Sequence, residues 1–214
     1  MALTEVATRY RYGAMRTSYA GPVRHEPLAL ELHNTVYATR RALVDGLATA
    51  EGLADWLAAV ADRLPVRARE VDASRRPEFL ALRDAVRDAL HAGLSGKPVP
   101  DAALETVNDA AARAPLSPRA ALRADGRLSG EMRYHTDDAT DVALATIAAD
   151  AIEVLTGPDR ERLRACGAPG CVLIFQKDHP RRTWCSEACG NRARQARHYE
   201  RARRARVAAP PPPR

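Results

Sequence analysis

Apolar residues recur along the first three quarters of the chain at helical rather than strand spacing. Leu53, Trp56, Leu57, Val60 and Leu64 fall on one face of a 3.6-residue period, and Phe79, Leu82, Val86 and Leu90 repeat the pattern in the next segment. A shorter stripe joins Leu104, Val107 and Ala111, and a longer one joins Leu144, Ile147, Ala148, Ala151 and Leu155, which Gly157-Pro158 terminates. Between the last two, residues 119–134 alternate modestly on either side of Asp125-Gly126, a turn dipeptide that predicts a β-hairpin. Residues 1–24 carry Gly13, Gly21 and Pro22 without sustained periodicity and read as an irregular arm, and the proline-rich 207–214 reads as a disordered tail. The pattern predicts a mostly α (α+β) protein: a helical domain over 25–157 with one hairpin, then a smaller module over 160–206.

Charge separates the same two parts. From Arg160 onward there are 14 Arg/Lys against 4 Asp/Glu, a balance of +10, whereas residues 1–159 hold 19 basic and 23 acidic side chains, −4. A polyanion is therefore expected at the C-terminal module. With 46% hydrophobic and 28% charged residues the chain can bury a core, and no stretch nears the roughly 18 apolar residues that a membrane span needs, so a cytoplasmic protein is expected.

All four cysteines lie in that module as Cys166-x4-Cys171-x13-Cys185-x3-Cys189. Two close pairs of thiolates can close one tetrahedral site on Zn2+, and four thiolates leave no position for water or substrate, so a single structural ion is expected. Gly167, Ala168, Pro169 and Gly170 let the first pair curl into a knuckle, and the i,i+4 spacing of Cys185 and Cys189 suits the first turn of a helix. Two disulfides are the competing arrangement and would need an oxidising compartment, which is not expected because Met1-Ala-Leu-Thr-Glu-Val6 lacks the charged-then-apolar layout of a secretion signal. His179 lies between the pairs and reads as an ordinary loop histidine. The order of parts is a knuckle, an extended run Val172–Phe175, a turn through Asp178–Pro180, a second extended run into Trp184 and a helix from about Ser186, a treble-clef-like finger. In that final helix Arg194, Arg197, Arg201 and Arg204 follow 3, 4, 3 spacing and align along one face, with Arg181, Arg182 and Arg192 adding to a surface suited to phosphate.

Trp184-Cys185-Ser186 followed by Cys189-Gly190-Asn191-Arg192 resembles the signature of the CGNR zinc-finger family, as do Cys166-x4-Cys171 with Phe175 and the Arg181-Arg182 pair. Leu28-Ala-Leu-Glu-Leu-His-Asn34-Thr35 is similar to the Leu-x-Leu-Asp-Phe-x-Asn-Thr segment opening that family's partner, the ABATE domain, with Glu31 in place of the aspartate and Leu32-His33 in place of phenylalanine-valine. The two resemblances span roughly residues 25 to 206 and imply a bacterial, stress-induced transcription regulator, a description by domain type rather than by demonstrated activity. On that expectation the module binds double-stranded DNA, and the helical domain senses a small-molecule effector or forms a homodimer. A protein-interaction adaptor and a thiol-based redox sensor are the alternatives. Within the signature, Trp184 covers the metal, Gly190 leaves room beside it, and Asn191 is expected to support the thiolates or the knuckle backbone rather than touch a base. Arg192 either pins the module to itself or reaches phosphate.

Catalytic signals are weak. His135, Asp137, Asp138 and Asp141 precede a helix and read as its cap, and no phosphate loop, nucleophile elbow or paired catalytic carboxylates occur, so a non-enzymatic role is expected. Glu31, His33 and Asn34 form a polar trio in an apolar segment. They line a pocket or, on the simpler alternative, Asn34 and Thr35 fix a local bend.

Overall fold

The computed structural model describes residues 18–208, with side chains to Arg204. The arm before residue 18, the tail beyond residue 208 and the Arg206 side chain lie outside the described residues.

Apolar periodicity becomes the helices α2 (Ala50–Ala59), α3 (Arg76–Leu94), α4 (Asp101–Ala112) and α5 (Ala139–Thr156), of which α3 and α5 are the longest, preceded by the short α1 (Leu28–His33). Trp56, Phe79, Leu82, Leu90, Leu144 and Ile147 are buried at their common centre. Helix α2 stops at Ala59, earlier than the stripe predicts, yet Val60 and Leu64 continue into the core across a 3-10 turn. Helix α4 departs by one position: Ala103, Val107 and Ala110 face inward, while Leu104 is 42% exposed. Because α4 lies against both α3 and α5, small alanines permit close approach there. Asp138 caps α5, accepting from the Thr140 and Asp141 amides, and Asp141 pairs with Arg75. Of the residues expected to form that cap, Asp138 does so, whereas His135 Nε2 lies 2.7 Å from Ser117 Oγ on β3.

Three antiparallel strand pairs complete the fold: β1 (Val36–Ala38) with β2 (Leu43–Asp45), β3 (Leu116–Leu122) with β4 (Leu128–Tyr134), and β5 (Leu163–Ala165) with β6 (Ile174–Gln176). The β3–β4 ribbon turns through Asp125-Gly126, as its sequence predicts. The β1–β2 pair is anchored by Arg83, buried on α3, which forks onto both Asp45 carboxylate oxygens at 2.6 and 2.8 Å and reaches Thr35 Oγ1 at 3.1 Å. That fork holds the Asp45 carboxyl below its usual range.

Helix α1 carries the Leu28–Thr35 motif, and all six of its residues are buried. The polar trio lines no solvent-reachable pocket, which corrects that expectation: Glu31, His33 and Asn34 are at most 6% exposed. Glu31 accepts the backbone N–H groups of Arg24 and Glu26, and burial raises its carboxyl. Asn34 does more than fix a bend. Its Nδ2 donates to the Ile174 carbonyl at 2.9 Å and its Oδ1 accepts the Ile174 N–H at 3.0 Å, so one side-chain amide pairs as a strand would with β6 of the C-terminal module. Nearby, Glu26 accepts from the Gln176 N–H at 2.8 Å and from Arg182 Nη2. The two parts of the chain are thereby joined by a buried polar seam whose groups satisfy one another.

Two outcomes follow from the seam. Asn34→Ala strands a buried donor and acceptor on Ile174 and is expected to destabilise the protein by about 2–4 kcal/mol, read as a lowered urea midpoint. Burial beside His91 and Arg87 pushes the His33 imidazole from its ordinary 6.5 down to about 4. The unfolded chain therefore binds this proton more readily, so stability is complete above about pH 6.5 and is lost as pH falls toward 4, reaching about 2 kcal/mol by pH 5. In His33→Gln the unfolding midpoint should change less between pH 7 and 5 than in the native chain.

Candidate metal centre and nucleic-acid interface

The four cysteines reach one point from three local structures. Cys166 follows β5 directly and donates its N–H to the Leu173 carbonyl at 2.9 Å. The chain then doubles back through a knuckle in which the Cys171 N–H reaches the Ala168 carbonyl at 3.0 Å and Gly170 adopts φ +71°, a conformation open to glycine. Cys185 precedes helix α6 (Glu187–Ala208) and Cys189 lies in its first turn, where the Ser186 hydroxyl accepts the Cys189 N–H at 3.3 Å. The strand that pairs within the module is β5, upstream of the first cysteine; β6 begins two residues later than the expected run, and the run into Trp184 is irregular. These are corrections to the sequence reading. Paired strands, knuckle and helix still follow the treble-clef order.

All four Sγ atoms lie within 4.8 Å of one another, with Cys185 at 3.8 Å from Cys171 and 3.5 Å from Cys189. Zn–S bonds of about 2.3 Å in a tetrahedron place sulfurs roughly 3.8 Å apart, so the cluster has the dimensions of a four-thiolate zinc site and is too wide for disulfides. Its protonation chemistry agrees. Hydrogen bonding from Cys185 holds the Cys171 thiol down at about 5, while the same bond and burial push Cys185 far up, because these sulfurs share protons when no cation neutralises them. A divalent cation removes that conflict by taking all four as thiolates. The residues fit one structural zinc ion, with every tetrahedral position filled by the chain.

Leu173, Phe175, Ala168 and Ala193 pack around the cysteines as a small core of their own, closed by half-buried Trp184. A Cβ on Gly190 would stand 2.9 Å from the Trp184 ring, so glycine is required there by close approach. Histidine 179 is exposed and accepts the Arg181 N–H through Nδ1, outside the sulfur cluster.

The structure departs from the role expected of Asn191 and, of the two expected of Arg192, shows the one that pins the module to itself. Asn191 touches neither thiolate nor knuckle; it is exposed and its Oδ1 accepts from Arg194 Nη2. Support for the sulfur comes from Arg192, whose Nη2 donates to Cys189 Sγ at 3.3 Å. Arg182 leaves the phosphate-facing set as well. It stacks over the Phe175 ring at 4.7 Å, donates to the Gln176 carbonyl at 3.0 Å and pairs with buried Glu26, so it ties the module to the helical domain. Arg181, Arg194, Arg197, Arg201 and Arg204 remain exposed, although Arg204 is paired with Glu200 at 3.1 Å and Arg197 Nε turns to the Ala193 carbonyl. Glu26 is a further functional residue of this joint. Its two partners lie about 150 residues away, and no local pattern marks it.

The geometry assigns Arg192 to the metal and Asn191 to the solvent. Arg192→Ala should weaken zinc binding by about 10- to 100-fold in competition with a chromophoric chelator, and Asn191→Ala should leave it unchanged.

Among curated proteins none matches this chain. A family model of the CGNR zinc finger matches residues 162–202, the segment that carries the sulfur cluster and most of α6. The ABATE model, described as "Putative stress-induced transcription regulator", matches residues 26–158, from Glu26 of the seam to the end of the helical domain. No helix among the described residues is long and apolar enough to cross a membrane. The chain belongs to the ABATE family, and it carries that family domain followed by a CGNR zinc finger.

Proposed function

We infer that this protein is a DNA-binding transcription regulator in which zinc fixes the start of a basic helix, and the helical domain governs how that helix is presented. One observation carries the reading: α6 leaves the sulfur cluster with Arg194, Arg197, Arg201 and Arg204 all exposed, while its first turn is tied down at Cys189. Stacked guanidinium groups on one helix repel one another, and only Glu200 among the described residues of the distal half relieves them. A phosphate backbone supplies the missing counter-charge and releases condensed cations as it does so. A helix anchored at its start by a metal site is also a known way to present side chains to the major groove.

The ion would be structural, and before α5 Asp138 is spent on the helix cap, Asp141 on an ion pair with Arg75 and His135 on Ser117, so a non-enzymatic role accords with the residues. A small-molecule effector or a second copy of the chain would act through the helical domain. The Asn34–Ile174 and Glu26–Arg182 contacts supply a physical link from α1 to the metal module for either signal.

The test is the salt dependence of binding to a duplex. Affinity should fall steeply between 50 and 200 mM salt, and Arg194→Ala and Arg201→Ala should each reduce the slope of log affinity against log salt by about 1. Arg182→Ala should lower stability and leave that slope alone. An unchanged slope in the Arg194 and Arg201 variants, or capture of acidic protein in place of DNA, would favour an adaptor role instead.

A further inference from the structure

The row of α6 that faces away from the protein is not its arginine stripe. Cys189 and Ala193 are buried and Ala196 is half-buried, which sets the inward side of the helix. Arg197 and Arg204 border that side: one turns back to the Ala193 carbonyl and the other is held by Glu200. Half a turn away, Asn191, Gln195, His198 and Ala202 follow 4, 3, 4 spacing, so they form a single row along the outermost face. All four are exposed. Arg194 and Arg201 flank the row on one side, with Tyr199, 73% exposed, on the other.

We propose that Asn191, Gln195 and His198 are the base-reading residues of the C-terminal module, set in the major groove of double-stranded DNA, and that the flanking Arg194 and Arg201 on one side and Tyr199 on the other contact the two phosphate walls. The inference rests on the DNA-binding reading above and names the part of that surface which carries sequence specificity. Side-chain chemistry separates the row from its flanks. Amides pair with the N6 and N7 edge of adenine, imidazole with acceptors or donors according to its tautomer, and the Ala202 methyl can meet a thymine methyl, whereas flanking guanidinium groups suit phosphate. Gln195 and His198 are exposed and their side chains make no hydrogen bond among the described residues, and His198 stands edge-on to the Tyr199 ring at 6.1 Å. Asn191 Oδ1 accepts from Arg194, which leaves its NH2 group as a donor for the acceptors of a base edge. The dimensions agree: the row from Asn191 to Ala202 covers about 17 Å of helix, roughly five base-pair steps, and a helix about 10–12 Å across enters a groove about 12 Å wide. Ala202 leaves the far end of this face free of bulk.

The experiment is selection from a randomised duplex library by the full-length, zinc-loaded protein at near-physiological salt, run beside Gln195→Ala, His198→Ala and Arg201→Ala, each checked for retained zinc. The native chain is expected to enrich a defined sequence. Gln195→Ala and His198→Ala should each lose preference at one or two adjacent positions, with discrimination there falling about 5- to 100-fold, while their affinity for unselected duplex and its salt slope stay the same. Arg201→Ala should do the opposite, weakening all duplexes alike and reducing the salt slope by about 1. Identical preferences in the native, Gln195→Ala and His198→Ala proteins would overturn the assignment. Salt-dependent binding without any sequence preference in the native chain would overturn it too while leaving DNA binding intact, and absence of duplex binding would overturn both.

Discussion

Four sulfurs gathered within 4.8 Å cannot all carry charge in a half-buried site without a cation between them, and the C-terminal module is organised by that constraint. The module has little else to hold it. Among the described residues Leu163, Leu173, Ile174 and Phe175 are its buried large apolar side chains, a core too small to fold alone. Zinc replaces the missing apolar area and does so directionally, since the tetrahedron dictates where β5, the knuckle and the first turn of α6 must stand. Arg192 adds charge to Cys189 from outside, and Gly190 admits the Trp184 ring that closes the site. In this light the Cys-Gly-Asn-Arg signature is a short account of one helical turn: a ligand, a clearance, an outward amide and a thiolate partner.

The same module leans on the helical domain through groups that are far apart in the chain. Asn34 completes the edge of β6 as a neighbouring strand would, and Glu26 receives both the Gln176 amide and Arg182. An α1 segment that is buried throughout and ends in an unpaired amide would be costly in an isolated domain. It is satisfied because the metal holds β6 in register against it. Family resemblance at Leu28–Thr35 and at the cysteines therefore reports two halves of one interface. Metal binding, the seam and the direction in which α6 leaves the body are mechanically linked.

Periodicity alone placed the long helices, because the cores of α3 and α5 are read by large residues such as Phe79, Leu82, Leu144 and Ile147 at the right spacing. Helix α4 was shifted by one position for the converse reason. In an alanine-rich segment hydrophobicity does not distinguish inside from outside, and the decision falls to how closely α3 and α5 approach, which favours Ala103 and Ala110 over Leu104. The metal ligands were legible because the spacing that closes a tetrahedron is local. The seam was not: Asn34 and Glu26 act on residues 140 and about 150 positions later, so an apparent polar trio suggested a pocket where the fold makes a joint. Arg181 and Arg182 look alike in sequence, yet one is exposed and the other lies flat on Phe175, a difference set by where the β6 backbone passes.

The central claim, that zinc holds the C-terminal module in register against the helical domain, is tested most directly by amide hydrogen exchange with zinc bound and after its removal by a chelator. The account predicts that chelation exposes Ile174, Gln176 and the first turns of α6 to rapid exchange, while the amides of α3 and α5 around Phe79 and Ile147 remain protected. Unchanged protection at Ile174 and Cys189 after the metal has left would contradict it, and would place the origin of the module's order in its packing alone.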